Sequence, residues 1–128
     1  MKAYHVGEIE EFGASATEPS SVKPKIVEVR GIQMGVYYFR GKFHAYENVC
    51  AHQGGPACEH RLFANTEWTT DPKSFKVRTY RSETRFNITC PWHGVEYDIE
   101  TGISIANNRM RLRSFRVKVS NKKVFVVL

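Results

Sequence analysis

Two short strings, Cys50-Ala51-His52-Gln53-Gly54-Gly55-Pro56 and Cys90-Pro91-Trp92-His93-Gly94, constrain this 128-residue chain more than anything else in it. Each places one thiol and one imidazole within a few residues and follows them with glycine. Thiolate and imidazole are metal ligands, so the fold is expected to bring two loops about 40 residues apart onto one centre. The three cysteines, Cys50, Cys58 and Cys90, are too few and too odd in number for a disulfide framework, and fit ligation or buried thiols better.

A single metal taking all four side chains would be tetrahedral zinc. Zinc fingers, however, usually draw both cysteines from one short pair and both histidines from the other, whereas each pair here is mixed. One thiol and one imidazole on each of two loops suit a binuclear [2Fe-2S] cluster in which one iron takes both cysteines and the other both histidines. Gly54, Gly55 and Gly94 then have a reason to be glycine. They allow tight turns and are expected to bring backbone N–H groups close to sulfur.

The rest of the chain reads as strands. Ile26-Val27-Glu28-Val29-Arg30, Val36-Tyr37-Tyr38-Phe39 and Phe43-His44-Ala45-Tyr46 are rich in β-branched and aromatic residues, with Arg40-Gly41-Lys42 as a turn. Phe115-Arg116-Val117-Lys118-Val119 alternates apolar and basic, residues 120–123 turn, and 124–127 return, a second hairpin. Residues 13–24, rich in Ser, Thr, Pro and Glu, read as a loop. No stretch shows a capped 3.6-residue period, so the expected fold is all-β, an antiparallel sandwich or barrel built from residues 1–46 and 103–128. A smaller cluster-binding subdomain, about 47–102, is inserted in it, and residues 1–128 make one domain. No apolar run approaches the roughly 20 residues of a membrane span. Residues 1–12 carry Glu8, Glu10 and Glu11 and lack the apolar stretch of a secretory signal, and no twin-arginine pair is present. A cytoplasmic location is the expectation.

Cys-x-His-x-Gly-Gly-Pro followed by Cys-Pro-Trp-His-Gly-x-x-Tyr-Asp resembles the Rieske [2Fe-2S] family, closest to soluble Rieske-type ferredoxins and the Rieske components of ring-hydroxylating oxygenase systems. The resemblance runs from about residue 26 to 128 and includes Gly41-Lys42-Phe43-His44-Ala45 and Tyr97-Asp98-Ile99-Glu100-Thr101-Gly102. It implies that Cys50 and Cys90 hold one iron of a [2Fe-2S] cluster and His52 and His93 the other, with the histidines near the surface. The sequence departs from the family in spacing. About 37 residues separate His52 from Cys90, so residues 59–88 contain an insertion, in which 75–85 alternate like a hairpin arm. Gly55 and Trp92 occupy the positions where the cytochrome bc branch joins its loops by a disulfide, and Val95 replaces a hydroxyl donor of that branch. Fewer donors to sulfur place the expected potential at the low end of roughly −150 to +300 mV. Tyr97 stays open between a phenol donor to a cysteine sulfur and an ordinary buried strand residue. Two neutral imidazoles leave the oxidised centre uncharged, where four thiolates would leave two negative charges, and so favour one-electron reduction. Their exposed N–H groups also offer an edge through which an electron leaves.

Among the remaining candidates, Cys58 reads as a small buried residue rather than a spare ligand, His44 as a packed ring, and His5 and His60 as surface residues. The basic residues gather at 73–85, including Lys73, Lys76, Arg78, Arg81 and Arg85, and at 109–123. The first segment stands open between a docking face for an acidic partner and plain surface, and Arg109, Arg111 and Arg113 read as the solvated face of a strand. No aromatic platform supports nucleic-acid binding, and no membrane partner is expected. With the cluster ligands set aside, only His5, His44 and His60 remain, too scattered for a mononuclear iron held by two histidines and a carboxylate. The expectation is therefore an electron carrier that performs no bond chemistry, taking electrons from a reductase and passing them to a terminal oxygenase or similar redox enzyme. Three readings stand beside it: the small subunit of an assimilatory nitrite reductase, a Rieske subunit of a multi-component oxygenase, and a zinc-binding structural module.

Overall fold

The computed structural model describes residues 2–12, 22–51, 54–59, 61–91 and 94–128. Among the described residues, nine strands form two antiparallel sheets. The larger has the order β1-β9-β8-β4-β3-β2, from β1 (Ala3–Glu8), β2 (Lys25–Val29), β3 (Ile32–Phe39), β4 (Lys42–Glu47), β8 (Ser114–Ser120) and β9 (Lys123–Val127). The smaller has the order β5-β6-β7, from β5 (Phe63–Thr70), β6 (Val77–Thr89) and β7 (Glu96–Asp98). The one helical element among the described residues is a 3-10 turn, Ile9–Phe12. None of those residues forms a helix long and apolar enough to cross a membrane.

The hairpins of the larger sheet follow from local chemistry. The paired turn residues Arg30 and Gly31, Arg40 and Gly41, and Asn121 and Lys122 all have positive φ. That is the two-residue turn whose twist matches the strands it joins. β1, which patterning alone leaves unassigned, pairs with β9 and gives the carboxy-terminal strand a second neighbour.

The period of two along β3 and β4 divides the interior into two cores. Met34 and Val36 on β3 and Ala45 on β4 face one core with Val6, Phe12, Val29, Val124 and Val126. Tyr37 and Phe39 on β3 and Tyr46 on β4 face the other, which also contains Cys50, Cys58 and Cys90. β3 is thus buried on both sides, and its face toward the second core is the floor on which Cys58, Phe86, Ile88 and Tyr97 are laid. Gly35 lies on that floor. A Cβ there would stand 2.5 Å from Cys58 Cβ and 3.0 Å from its sulfur, so only glycine lets the segment after the first ligand loop settle onto β3.

At the far edge of the floor, Arg40 ties the sheets together. Its guanidinium donates to the carbonyls of Thr84 (2.8 Å) and Glu83 (2.5 Å). It also lies over the rings of Phe39 and Phe86, 4.9 and 5.2 Å from their centroids. The two acceptors belong to a four-residue irregularity in β6, where pairing jumps from Ala64↔Phe86 to Thr66↔Arg81. Ser82 Oγ closes this bulge by accepting from the N–H groups of Thr84 and Arg85.

Of the alternation seen at 75–85, residues 77–81 are the outer half of β6 and pair with β5 as a hairpin arm, 75 and 76 belong to the turn and 82–85 to the bulge. Residues 109–113 depart from the expected strand. Arg109, Arg111 and Arg113 are exposed as anticipated, but the segment is a loop held by a single bridge, Ile103↔Arg111. Leu112 anchors it by filling the second core and donating its N–H to Gly102 O (2.8 Å). Because Gly35 has no room for a side chain, Gly35→Ala is expected to destabilise the fold by about 1–3 kcal/mol through overpacking. A lowered urea midpoint with an unchanged m-value would measure it.

Candidate metal centre

Cys50 follows β4 and Cys90 follows β6, and the two loops they open are built alike. The Cys50 N–H donates to Gly55 O (2.6 Å) and the Cys90 N–H to Val95 O (2.9 Å), the same offset of five residues. The Gly54 N–H donates to Cys50 O (2.8 Å) and the Gly94 N–H to Cys90 O (2.9 Å), the same offset of four. Both glycines have positive φ, +74° and +68°, where a side chain would be strained. Each loop therefore leaves its strand at a buried cysteine and doubles back through a left-handed glycine. The tight turns expected at Gly54 and Gly94 are present, and the amides of these two glycines are used on the cysteine carbonyls, because closing so short a turn requires that bond. Ala51 and Pro91, next to the cysteines, are exposed. His52, Gln53, His60, Trp92 and His93 lie outside the described residues. The described part of the centre thus consists of its two thiols, and no three His, Cys, Asp or Glu side chains among the described residues converge as a metal site.

Tyr97 joins the two loops. It sits on β7 opposite Ile88 of β6, the strand that ends at Cys90, and is fully buried. Its hydroxyl reaches the other loop, 3.1 Å from Cys50 Sγ, and accepts the Ala51 N–H, also at 3.1 Å. With a lone pair occupied by that amide, the hydroxyl proton is directed at the sulfur. Burial holds the Tyr97 phenol well above its ordinary pKa, and Cys50 raises it further, with a smaller push from Cys90. The group therefore stays protonated and donates. This resolves the open question about Tyr97 in favour of the phenol donor.

The first loop is fixed at its far end by Asn48, a residue that sequence reasoning passed over. Its buried side chain accepts the Cys58 N–H at Oδ1 (2.6 Å) and donates from Nδ2 to Gln33 Oε1 (2.9 Å) and Glu59 Oε1 (3.1 Å). Asparagine suits this work because one planar amide both accepts and donates. Cys58 itself is fully buried. Burial pushes its thiol up to about 11, which keeps it neutral and agrees with its reading as a packed residue. His44 lies parallel to Tyr46, centroids 6.4 Å apart, and burial lowers its pKa, as for a packed ring. On the side of the second loop, Tyr46 Oη donates to Ile99 O (2.5 Å). A Cβ on Gly102 would come within 2.6 Å of the Tyr46 ring.

These residues fit a sulfur-ligated cluster. Two buried thiols open two matching turns, a protonated phenol points at one sulfur, and an apolar core surrounds both. Tyr97→Phe in the cluster-loaded protein is expected to lower the midpoint potential by about 40 mV. That is one hydrogen bond of about 1 kcal/mol, lost mainly from the electron-rich reduced state. Asn48→Ala leaves the buried Cys58 N–H unsatisfied and is expected to cost about 1–3 kcal/mol of stability, measured by urea unfolding.

The Rieske [2Fe-2S] domain model matches residues 6–116. No curated protein sequence matches the chain. Among solved structures, the chain is similar to the ferredoxin of carbazole 1,9a-dioxygenase from Nocardioides aromaticivorans IC177, with a TM-score of 0.63 and 17% identity over 98% of this chain and 97% of that one. It is similar also to a protein from Mycobacterium tuberculosis described as the small subunit of an NADH-dependent nitrite reductase (TM-score 0.68, 12% identity, covering 98% and 93%). Dicamba monooxygenase matches with a TM-score of 0.63 and 16% identity, and there the match spans 32% of the other chain. The two matching cysteine turns, the phenol between them and the match over most of the chain lead to one conclusion: the protein belongs to the Rieske [2Fe-2S] domain family.

Proposed function

We propose that the protein is a ferredoxin-type carrier that takes one electron at a time from a reductase and gives it to a terminal oxygenase or a similar redox enzyme. Electron carriage on a [2Fe-2S] cluster is the chemistry of its family. In this reading Cys50 and Cys90 hold one iron and His52 and His93 the other, and residues 47–102 form the cluster-binding part of a single domain. The observation that carries it is the Tyr97 hydroxyl between Cys50 Sγ and the Ala51 N–H, since it serves a sulfur that gains negative charge. When bound, the cluster supplies a site that accepts and releases a single electron. The chain does the rest. The core around the cysteines excludes water, Tyr97 donates to sulfur, and Gly54 and Gly94 close the turns.

A second reading, the small subunit of a nitrite reductase, is supported by a match over the full length of both chains. The other protein there is described as a small subunit of NADPH nitrite reductase, at a TM-score of 0.67 and 9% identity. Co-purification with a large flavin- and haem-containing subunit would favour it.

Electron paramagnetic resonance of anaerobically dithionite-reduced protein, with metal analysis, tests the central claim. Two irons per chain and a rhombic spectrum with the low average g value of a histidine-ligated cluster are expected. Cys50→Ser and His93→Ala are expected to abolish both, because ligation also holds the loops. A colourless, silent protein containing one zinc would overturn the reading.

A further inference from the structure

Outside the centre, one feature of the molecule has no use within the chain. Beyond the bulge at 82–85, β5 and β6 continue as a two-stranded ribbon, residues 66–81, pairing Thr66↔Arg81 through Thr70↔Val77. All its paired residues are exposed except the half-buried Glu67. Four of the eight large exposed apolar side chains among the described residues lie on this ribbon: Trp68 (69% exposed), Phe75 (78%), Val77 (63%) and Tyr80 (52%). The register puts Trp68 and Val77 on one face and Tyr80 on the other. Both faces therefore present apolar surface to solvent, in a kind of element that is marginal when it stands alone.

The tip is built rather than loose. Asp71 Oδ1 accepts the N–H groups of Lys73 (2.8 Å) and Ser74 (3.3 Å), and Asp71 O accepts that of Phe75 (2.8 Å). Phe75 is held at φ +60°, a conformation unfavourable for a bulky residue, and there its ring points into water. Such an arrangement costs stability in the free chain and is explained by a use elsewhere. The ribbon is also cationic. Across residues 66–81, Lys73, Lys76, Arg78 and Arg81 stand against Glu67 and Asp71, a net charge of +2, and among the described residues none of the four makes an ion pair.

We propose that this ribbon is a docking prong that inserts Trp68, Phe75, Val77 and Tyr80 into an apolar groove with an acidic rim on a protein partner. The mixture of Trp, Tyr and Arg is the composition of interface anchors. The charge of the prong selects an acidic surface and opposes a second copy of this chain, whose prong would repel it. A groove covers both faces of the ribbon, whereas a lipid surface would take only the tip, where Lys76 and Arg78 flank Val77. The prong and Cys90 lie at opposite ends of the 13-residue β6, so the partner holds the chain at one end and leaves the ligand loops at the other end uncovered. The docking is independent of the electron-carrier reading; only the use of the uncovered loops rests on it.

The test starts with a photo-crosslinking phenylalanine analogue at position 75 or 68 in cells that produce the protein, with exposed Ile26 as the control position. A discrete adduct with one acidic protein is expected from 75 and 68 and not from 26. With that protein purified, Trp68→Ala and Tyr80→Ala should each weaken binding about 30-fold. Lys76→Glu with Arg78→Glu should weaken it most at low salt. Phe75→Gly relieves the left-handed backbone, so it should lower affinity while the urea midpoint of the free chain stays equal or rises. The reduced paramagnetic spectrum of every variant should match the parent, which separates loss of docking from loss of the cluster. An adduct with a second copy of the chain, binding to phosphatidylglycerol vesicles that Phe75→Gly abolishes, or affinities unchanged in all variants would overturn the proposal.

Discussion

The hydrogen bond between Tyr97 and Cys50 is the point on which the arrangement of the two ligand loops depends. The loops arrive from different sheets, one after β4 of the larger and the other after β6 of the smaller. Nothing in either loop's own turn chemistry sets its distance from the other. Tyr97 does so because its backbone belongs to the second loop's strand pair and its hydroxyl to the first loop's cysteine and amide. Burial, which makes the phenol hard to ionise, keeps that link in its donating form.

The likeness of the two turns shows how little backbone such a centre requires. A buried cysteine, a carbonyl five residues on and a left-handed glycine four residues on are enough to make each. What differs is the surrounding support. The first turn is clamped by Asn48 and rests on Gly35. Further along, Tyr46 holds the turn after β7, donating to Ile99 O and fitting beside Gly102. Each support pairs a buried polar side chain with a glycine that makes room, so the segments following the cysteine turns are held through contacts that tolerate no added methyl group.

Much of this was legible from residues alone, since the signals were local. Alternating β-branched and aromatic residues and short turns marked β2 to β4 and β8 to β9, and the paired Cys and His strings marked the centre. What was not legible depends on residues distant in sequence. Tyr97 could be suspected as a donor, but its partner lies 47 residues away. Asn48 carries no signal in the sequence because its partners, Gln33, Cys58 and Glu59, are brought to it only by the fold. β5 lacked a pattern of its own, as its outer half is exposed on both faces except at Glu67 and so carries no alternation between core and solvent. The carbonyl-directed amides of Gly54 and Gly94 follow the same logic. Sequence shows that glycine is needed, while only the closed turn shows which acceptor its amide takes.

Arg40 gives the projecting ribbon a fixed bearing. Its guanidinium spans from the β3–β4 turn to the carbonyls inside the β6 bulge, and it rests against the rings of Phe39 and Phe86. A clasp of this kind uses neutral acceptors, so added salt, which loosens ion pairs, leaves it largely intact. The ribbon therefore works as a lever on a stiff fulcrum. A force or a contact at its tip is transmitted to the base of β6, and from there to the strand end that carries Cys90, instead of being lost in a swivelling joint.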